Sequence, residues 1–312
     1  MVGWHLLLLL VIEVAAYGAA GRHMHVAHGW SVPSAIAFAA AIYLGVRMVL
    51  VAAEFVLARM RGSSIPDELH APPSRLLAMY LRELGGWLLL FTFVLPFVPA
   101  RRSVLDRPAG APSDKPPLLL VHGFTCNRGN WFWFRRQLER HGYRVYTVDC
   151  TPPFAPIAHY APQLAAAVDE VLQATGASQL VLIGHSMGGL VSRAYMDQFG
   201  AGKIARVITL GTPHQGTWMA KLAAGPNVRN MVDGSPWLAA LREREARRSE
   251  NPYENFSCVY THHDNLVAPQ TNATLPKADC IALSGIGHVS LVLSRAVVKH
   301  VLAVLERVHV VR

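Results

Sequence analysis

Charge is scarce in this chain, and what there is leans one way. Only 16% of its 312 residues are Asp, Glu, Lys or Arg, and 29 Lys and Arg against 20 Asp and Glu leave a formal net charge of +9. A basic balance raises a nucleic-acid partner, but the arginines are scattered without the aromatic interleaving of an RNA-binding surface, so that class is set aside. Cysteine is scarcer still: Cys126, Cys150, Cys258 and Cys280 are the whole supply. None stands in a Cys-x-x-Cys spacing, which removes the zinc knuckle and the redox pair. Buried free thiols are expected, with Cys150, Cys258 and Cys280 in or at the end of strands. Also missing is a basic stretch ahead of the first apolar run, which a cleaved secretory signal would carry.

What the chain has in excess is apolar residues, 52% of the total, crowded before residue 100. Residues 2–20 are broken only by His5 and Glu13 and are long enough, at roughly 20 residues, to cross a hydrocarbon core. Residues 35–57 are a second candidate span. Arg47 and Glu54 fall inside it about two helical turns apart, hence on similar faces, and within lipid each requires pairing, snorkelling or a protein neighbour. Beyond Pro66, Pro72 and Pro73, residues 76–84 have helical periodicity and residues 86–98 form a third apolar segment, only about 20 Å long as a helix. Two spans, with Arg59 and Arg61 after the second, favour a cytoplasmic location for the rest of the chain; three spans would export it, and the charge counts leave both topologies open. Attraction to anionic lipid is the use this setting offers for the net charge. Residues 101–117, rich in proline and basic residues, are the expected linker between a hydrophobic region, 1–100, and a second unit, 118–312.

In that second unit short apolar runs alternate with helical patterns. Strands are expected at 118–121, 143–148, 180–183, 204–210, 256–261 and 280–283, and helices at 130–140, 161–174, 187–199 and 289–308. Such alternation implies a parallel sheet covered on both faces, with functional residues at the carboxyl ends of the strands.

One strand exit stands out. Residues 179–190 read Gln-Leu-Val-Leu-Ile-Gly-His-Ser-Met-Gly-Gly-Leu, a buried strand, a tight turn and a helix start, with Gly184, Ser186 and Gly188 at the fixed positions of a Gly-x-Ser-x-Gly nucleophile elbow. The turn puts the Ser186 hydroxyl above the sheet and aims the N–H groups of the next helix at whatever it attacks. An attacking serine needs two N–H donors for the oxyanion, one following the nucleophile and one from the loop after the first strand; Met187 and Phe124, in His122-Gly123-Phe124, hold those positions. Asp264, past the fifth strand, and His288, past the sixth, follow in the order serine, acid, histidine, with Asp149 as the rival acid. His262 and His263 invite a metal, but no third partner stands at ligand spacing, and no role is assigned to His214.

The segments 118–124, 184–189 and 209–216 (Thr-Leu-Gly-Thr-Pro-His-Gln-Gly), with Asp264 and Gly287-His288, together resemble the small bacterial triacylglycerol lipases of the α/β-hydrolase superfamily. The resemblance spans residues 116–308. It implies an α/β-hydrolase three-layer sandwich with a mainly parallel sheet of about six strands, here preceded by N-terminal hydrophobic helices. It further implies Ser186, Asp264 and His288 as a catalytic triad, Phe124 and Met187 as the oxyanion hole, and esters of lipid or acyl alcohols as substrates. Some such lipases bind calcium near the histidine loop; no second acid is placed for that here, so no metal and no cofactor are expected. The N-terminal third departs from the family, which usually has a cleaved signal peptide. Residues 217–255 are an insertion, either an ordinary crossover or a lid or acyl-chain wall. The expectation is a membrane-associated serine ester hydrolase of the bacterial inner membrane, its partners an ester substrate and the bilayer but no nucleic acid. The membrane face and oligomeric state do not follow from the sequence, and an acyltransferase or an inactive scaffold with this fold stand as alternatives.

Overall fold

The structure is a computed structural model that describes residues 2–99, 114–248 and 251–308. Three apolar helices come first. α1 (Val2–His28) turns at Gly29 and packs against α2 (Val32–Met60), whose start is capped by the Ser31 hydroxyl accepting the Ser34 N–H at 3.3 Å. α3 (Pro73–Leu88) runs on through a π-helical turn, Leu89–Val94, and a 3-10 turn, Leu95–Phe97. The two segments expected at 76–84 and 86–98 are therefore one helical stretch of 25 residues, because Gly85 and Gly86 continue the helix instead of breaking it. By length and composition all three are able to cross a membrane. Arg47 and Glu54 both find partners, though not each other. Arg47 donates to Glu13 of α1 and lies over the rings of Tyr43 and Trp87, while Glu54 reaches Asn265 near the sheet.

The second unit is built on six parallel strands: β1 (Leu118–Val121), β2 (Val145–Val148), β3 (Leu180–His185), β4 (Ile204–Leu210), β5 (Phe256–Thr261) and β6 (Asp279–Leu283). Their order is β2-β1-β3-β4-β5-β6, every neighbouring pair parallel. The pleat of β1 sends Leu119 and Val121 to one face and Leu118 and Leu120 to the other, and all four are fully buried. α4 (Phe132–Arg140) covers the Leu118 side, and α5 (Ala161–Thr175) and α6 (Met187–Phe199) cover the Leu119 side. The crossover insertion contributes α7 (Pro226–Met231) and α8 (Pro236–Ala246), and α9 (Arg295–Leu305) closes the α4 face. Leu90 and Leu95 of the third apolar stretch are buried in that same core, so the N-terminal helices pack on the sheet unit.

Two expectations need adjustment. The long helix read at 289–308 is split: Val289–Leu293 is a 3-10 turn, and Ser294 then caps α9 by accepting the Val297 N–H at 3.4 Å. Cys126, Cys150 and Cys258 are buried thiols, but Cys280 is exposed, because β6 is the last strand of the sheet and no strand among the described residues pairs with its outer side. Most of the linker expected at 101–117 lies outside the described residues.

The order also says where a ligand should sit. Strand order reverses between β1 and β3, and in an open parallel sheet the crevice beyond the carboxyl ends at such a reversal is the natural binding place. The loop at His122 and the turn at Ser186 are those two ends.

Candidate active site

Ser186 is the hinge of the turn between β3 and α6. Its φ of 53° and ψ of −124° lie in a region that a side-chain-bearing residue occupies only under constraint, at a cost of order 1–3 kcal/mol. Hydrogen bonds hold it there: its N–H donates to Leu210 O at 2.9 Å and its carbonyl accepts the Thr212 hydroxyl at 2.8 Å. The flanking glycines are steric requirements. A Cβ on Gly184 would come 2.5 Å from Gly189 N, and one on Gly188 would come 2.1 Å from Val121 O.

The loop after β1 passes against this serine, so close that a Cβ on Gly123 would lie 3.0 Å from Ser186 Cβ. The buried His122 ring holds the loop. Its Nε2 accepts the Cys150 N–H at 3.0 Å, which leaves Nδ1 to donate to Gly123 O at 2.9 Å. Burial pushes His122 below the ordinary histidine range, in keeping with the neutral tautomer those two bonds require. Phe124 lines the cavity above Ser186, and Met187 is the first residue of α6, where backbone N–H groups have no intrahelical acceptor.

Asp264 and His288 meet across the sheet edge. His288 Nδ1 lies 2.9 Å from Asp264 Oδ2 and 3.0 Å from Oδ1, and Asp264 Oδ1 also accepts the N–H groups of Leu266 and Val267, both at 2.8 Å. Burial pushes the His288 imidazole down, but the Asp264 charge and hydrogen bond, together with the charges of Glu83 and Glu54, outweigh it and hold His288 above the ordinary histidine value. Asp149 is engaged elsewhere, accepting the Arg128 N–H at 2.8 Å and pairing with its guanidinium at 3.2 Å.

Ser186 and His288 open on one cavity of about 200 Å³, walled by Phe91, Phe124, Met219 and Met231. Met219 and Met231 come from the insertion and Phe91 from the third apolar helix, so both regions shape the space above the serine. α8 is pinned to α6 by the buried Arg193, whose Nε and Nη2 donate to Glu245 at 3.0 and 2.6 Å. The charged run at the end of the insertion thus hides a buried ion pair.

Several residues here carry no sequence signal of their own. His185, inside the elbow, takes Asn130 Nδ2 on its Nδ1 at 3.4 Å and donates from Nε2 to His288 O at 3.2 Å; burial and the adjacent His288 drive it well below the ordinary range. Asn265 accepts the His288 N–H at 2.9 Å, and Glu83, from α3, accepts two N–H groups beyond His288. Only a carboxylate inside an apolar helix hinted at Glu83. His263 Nδ1 accepts the Gly285 N–H at 3.2 Å, and among the described residues no group of three His, Cys, Asp or Glu is arranged to hold a metal. His214 is buried behind the turn, its Nε2 3.0 Å from Thr209 Oγ1.

Residues 116–234 match a sequence family described as alpha/beta hydrolase fold. A triacylglycerol lipase of Pseudarthrobacter phenanthrenivorans is 39% identical over 113 residues, 33% of this chain and 35% of the relative. One from Burkholderia plantarii is also 39% identical over 113 residues, 33% of this chain and 31% of the relative. The chain thus matches about a third of these relatives' length. Among solved structures, the mature lipase BlEst2 of Bacillus licheniformis superposes with a TM-score of 0.57 at 21% identity, covering 64% of this chain and 96% of that one. Lipase B of Aspergillus fumigatus gives 0.57 at 13% identity over 84% and 80%. At such identities these superpositions speak to the fold alone.

Proposed function

We propose that this chain, which carries the α/β-hydrolase fold, is a membrane-associated serine hydrolase of carboxylic esters, acting on lipid or acyl esters through an acyl-enzyme on Ser186. The observation that carries the reading is a constrained serine and a histidine on one apolar cavity, with that histidine's Nδ1 bound to both oxygens of a buried carboxylate. Nε2 of His288 is then free to act as the base. Ser186 Oγ attacks the ester carbonyl carbon as its proton passes to Nε2, and the N–H groups of Met187 and Phe124 take the negative charge on the carbonyl oxygen. Collapse breaks the ester C–O bond, the alcohol leaves with the proton from Nε2, and water repeats the cycle on the acyl group to release the acid and regenerate Ser186. Asp264 keeps the proton-bearing Nδ1 oriented and stabilises the imidazolium formed in each step.

The cavity and its setting support this substrate class. The walls are apolar, one of them from a helix able to cross a bilayer, which suits an ester with an aliphatic acyl chain presented from lipid. The local likeness to bacterial triacylglycerol lipases supports the same class. Ser186→Ala is the test: hydrolysis of p-nitrophenyl esters by the full chain in detergent should fall by about five to six orders of magnitude with unchanged thermal unfolding. Turnover at the wild-type rate would refute the reading.

A further inference from the structure

We propose that the N-terminal helices are a working part of the catalytic centre, with Glu83 and Glu54 as positioning residues for His288; this rests on the triad reading above. Glu83 of α3 sits in the third apolar helix with no exposure at all. Its Oε1 accepts the Val289 N–H at 2.7 Å and its Oε2 the Ser290 N–H at 2.8 Å, donors 206 and 207 positions further along the chain. Those donors are the first turn of the Val289–Leu293 helix, which starts directly after His288 and leaves its leading N–H groups without intrahelical acceptors. The carboxylate supplies both acceptors in charge-assisted bonds. The seat is close: a Cβ on Gly287, just before His288, would lie 2.4 Å from Glu83 Oε2.

Glu54 of α2 acts through a relay. Its Oε2 accepts Asn265 Nδ2 at 2.8 Å, and Asn265 Oδ1 accepts the His288 N–H at 2.9 Å. A third strut holds the acid. Gln270 Nε2 donates to the Asp264 carbonyl at 3.0 Å, while its Oε1 accepts the Ser63 N–H, beyond the end of α2, at 3.0 Å. The backbone N–H groups of His288 and of the two residues after it are thus held, directly or through Asn265, by carboxylates from the hydrophobic region that the sequence sets apart from the sheet unit.

A tether alone does not account for this. A buried carboxylate is costly unless its oxygens are filled, and an aliphatic side chain would serve better on a helix face that only packs. Positioning does account for it, since a displacement of about 1 Å between reacting groups can cost roughly 100-fold in rate. Removing these struts should therefore cost kcat and leave substrate binding nearly intact.

The test uses the full chain in detergent with p-nitrophenyl butyrate, kcat counted per Ser186 labelled by a fluorophosphonate so that unfolded protein drops out. Glu83→Ala should lower kcat by about 10- to 100-fold with KM changed by less than about twofold. Glu83→Gln, with one acceptor oxygen for two N–H groups, should fall between it and wild type. Glu54→Ala should lower kcat several-fold, and Glu54→Gln, which keeps an acceptor for Asn265, should restore it. The Glu54 pair decides the matter if Glu83→Ala does not fold. Wild-type kcat in Glu54→Ala and Glu83→Gln would overturn the proposal, as would a Glu54→Gln as slow as Glu54→Ala. Absence of turnover and labelling in the wild type would instead overturn the serine-hydrolase reading beneath it.

Discussion

The first helix and the third strand are both strings of leucine, valine and isoleucine, and they meet opposite fates. Leu9 in α1 is 57% exposed, whereas Leu182 in β3 is wholly buried. β3 is covered because parallel strands take helices on both faces. α1 packs along α2 and, near its start, on the end of the third helical stretch, and shows aliphatic side chains on its other sides, a surface suited to lipid and not to water. α3 and the π-helical turn after it belong to the same apolar region yet behave like the sheet unit, turning Glu83, Leu84 and Leu90 inward. Hydrophobic content therefore does not separate anchor from enzyme; what each helix packs against does.

Predictions sharpen this contrast through its charged groups. The largest effect belongs to the sheet unit. Asp264→Asn removes the charge that orients His288 and should lower kcat by about 10⁴-fold. It should also move the acid limb of kcat/KM. The Asp264 carboxylate faces His288 with its charge and a hydrogen bond, the carboxyl groups of Glu83 and Glu54 also lie toward it and His185 faces it neutral, so the imidazole is held above the ordinary value of about 6.5. The neutral base appears only as pH rises through that raised value; in Asp264→Asn the limb should shift to lower pH. A limb that stays put would show that the two residues do not act together.

An intermediate effect is expected among the helices. Arg47→Ala leaves Glu13 without its partner between α1 and α2 and should destabilise the full chain in detergent by roughly 3 kcal/mol, read from thermal unfolding. Lys203→Ala gives the smallest. Its pair with Asp169 is more than half exposed on both sides, and the change should stay within about 0.5 kcal/mol. Equal losses in the two variants would erase the distinction between the apolar helices and the water-facing surface of the sheet unit.

How much of this was legible depends on whether a constraint acts locally. The strands of the sheet read clearly because two-sided burial leaves continuous apolar runs, and β4 and β5 fall at 204–210 and 256–261 as expected. The elbow reads clearly because no other residue fits at Gly184 and Gly188. Asp264 and His288 stand out by chain order, and the structure brings them within hydrogen-bond distance while Asp149 turns to Arg128. The break at Ser294 does not show in the sequence because one serine in an apolar helical pattern does not announce a cap, and the third helical stretch reads as two segments around a glycine pair that helical packing tolerates. Glu83 could not be read at all in its role. Its partners are backbone N–H groups on a remote segment, and a backbone donor leaves no mark on composition or spacing.

The central claim is that Ser186 is the nucleophile of an ester hydrolase, and peptide mass mapping of the full chain after reaction with a fluorophosphonate tests it most directly. The account predicts one adduct, on the peptide containing Ser186, formed as ester turnover disappears. An adduct on another residue, or complete loss of turnover with Ser186 unmodified, would contradict it.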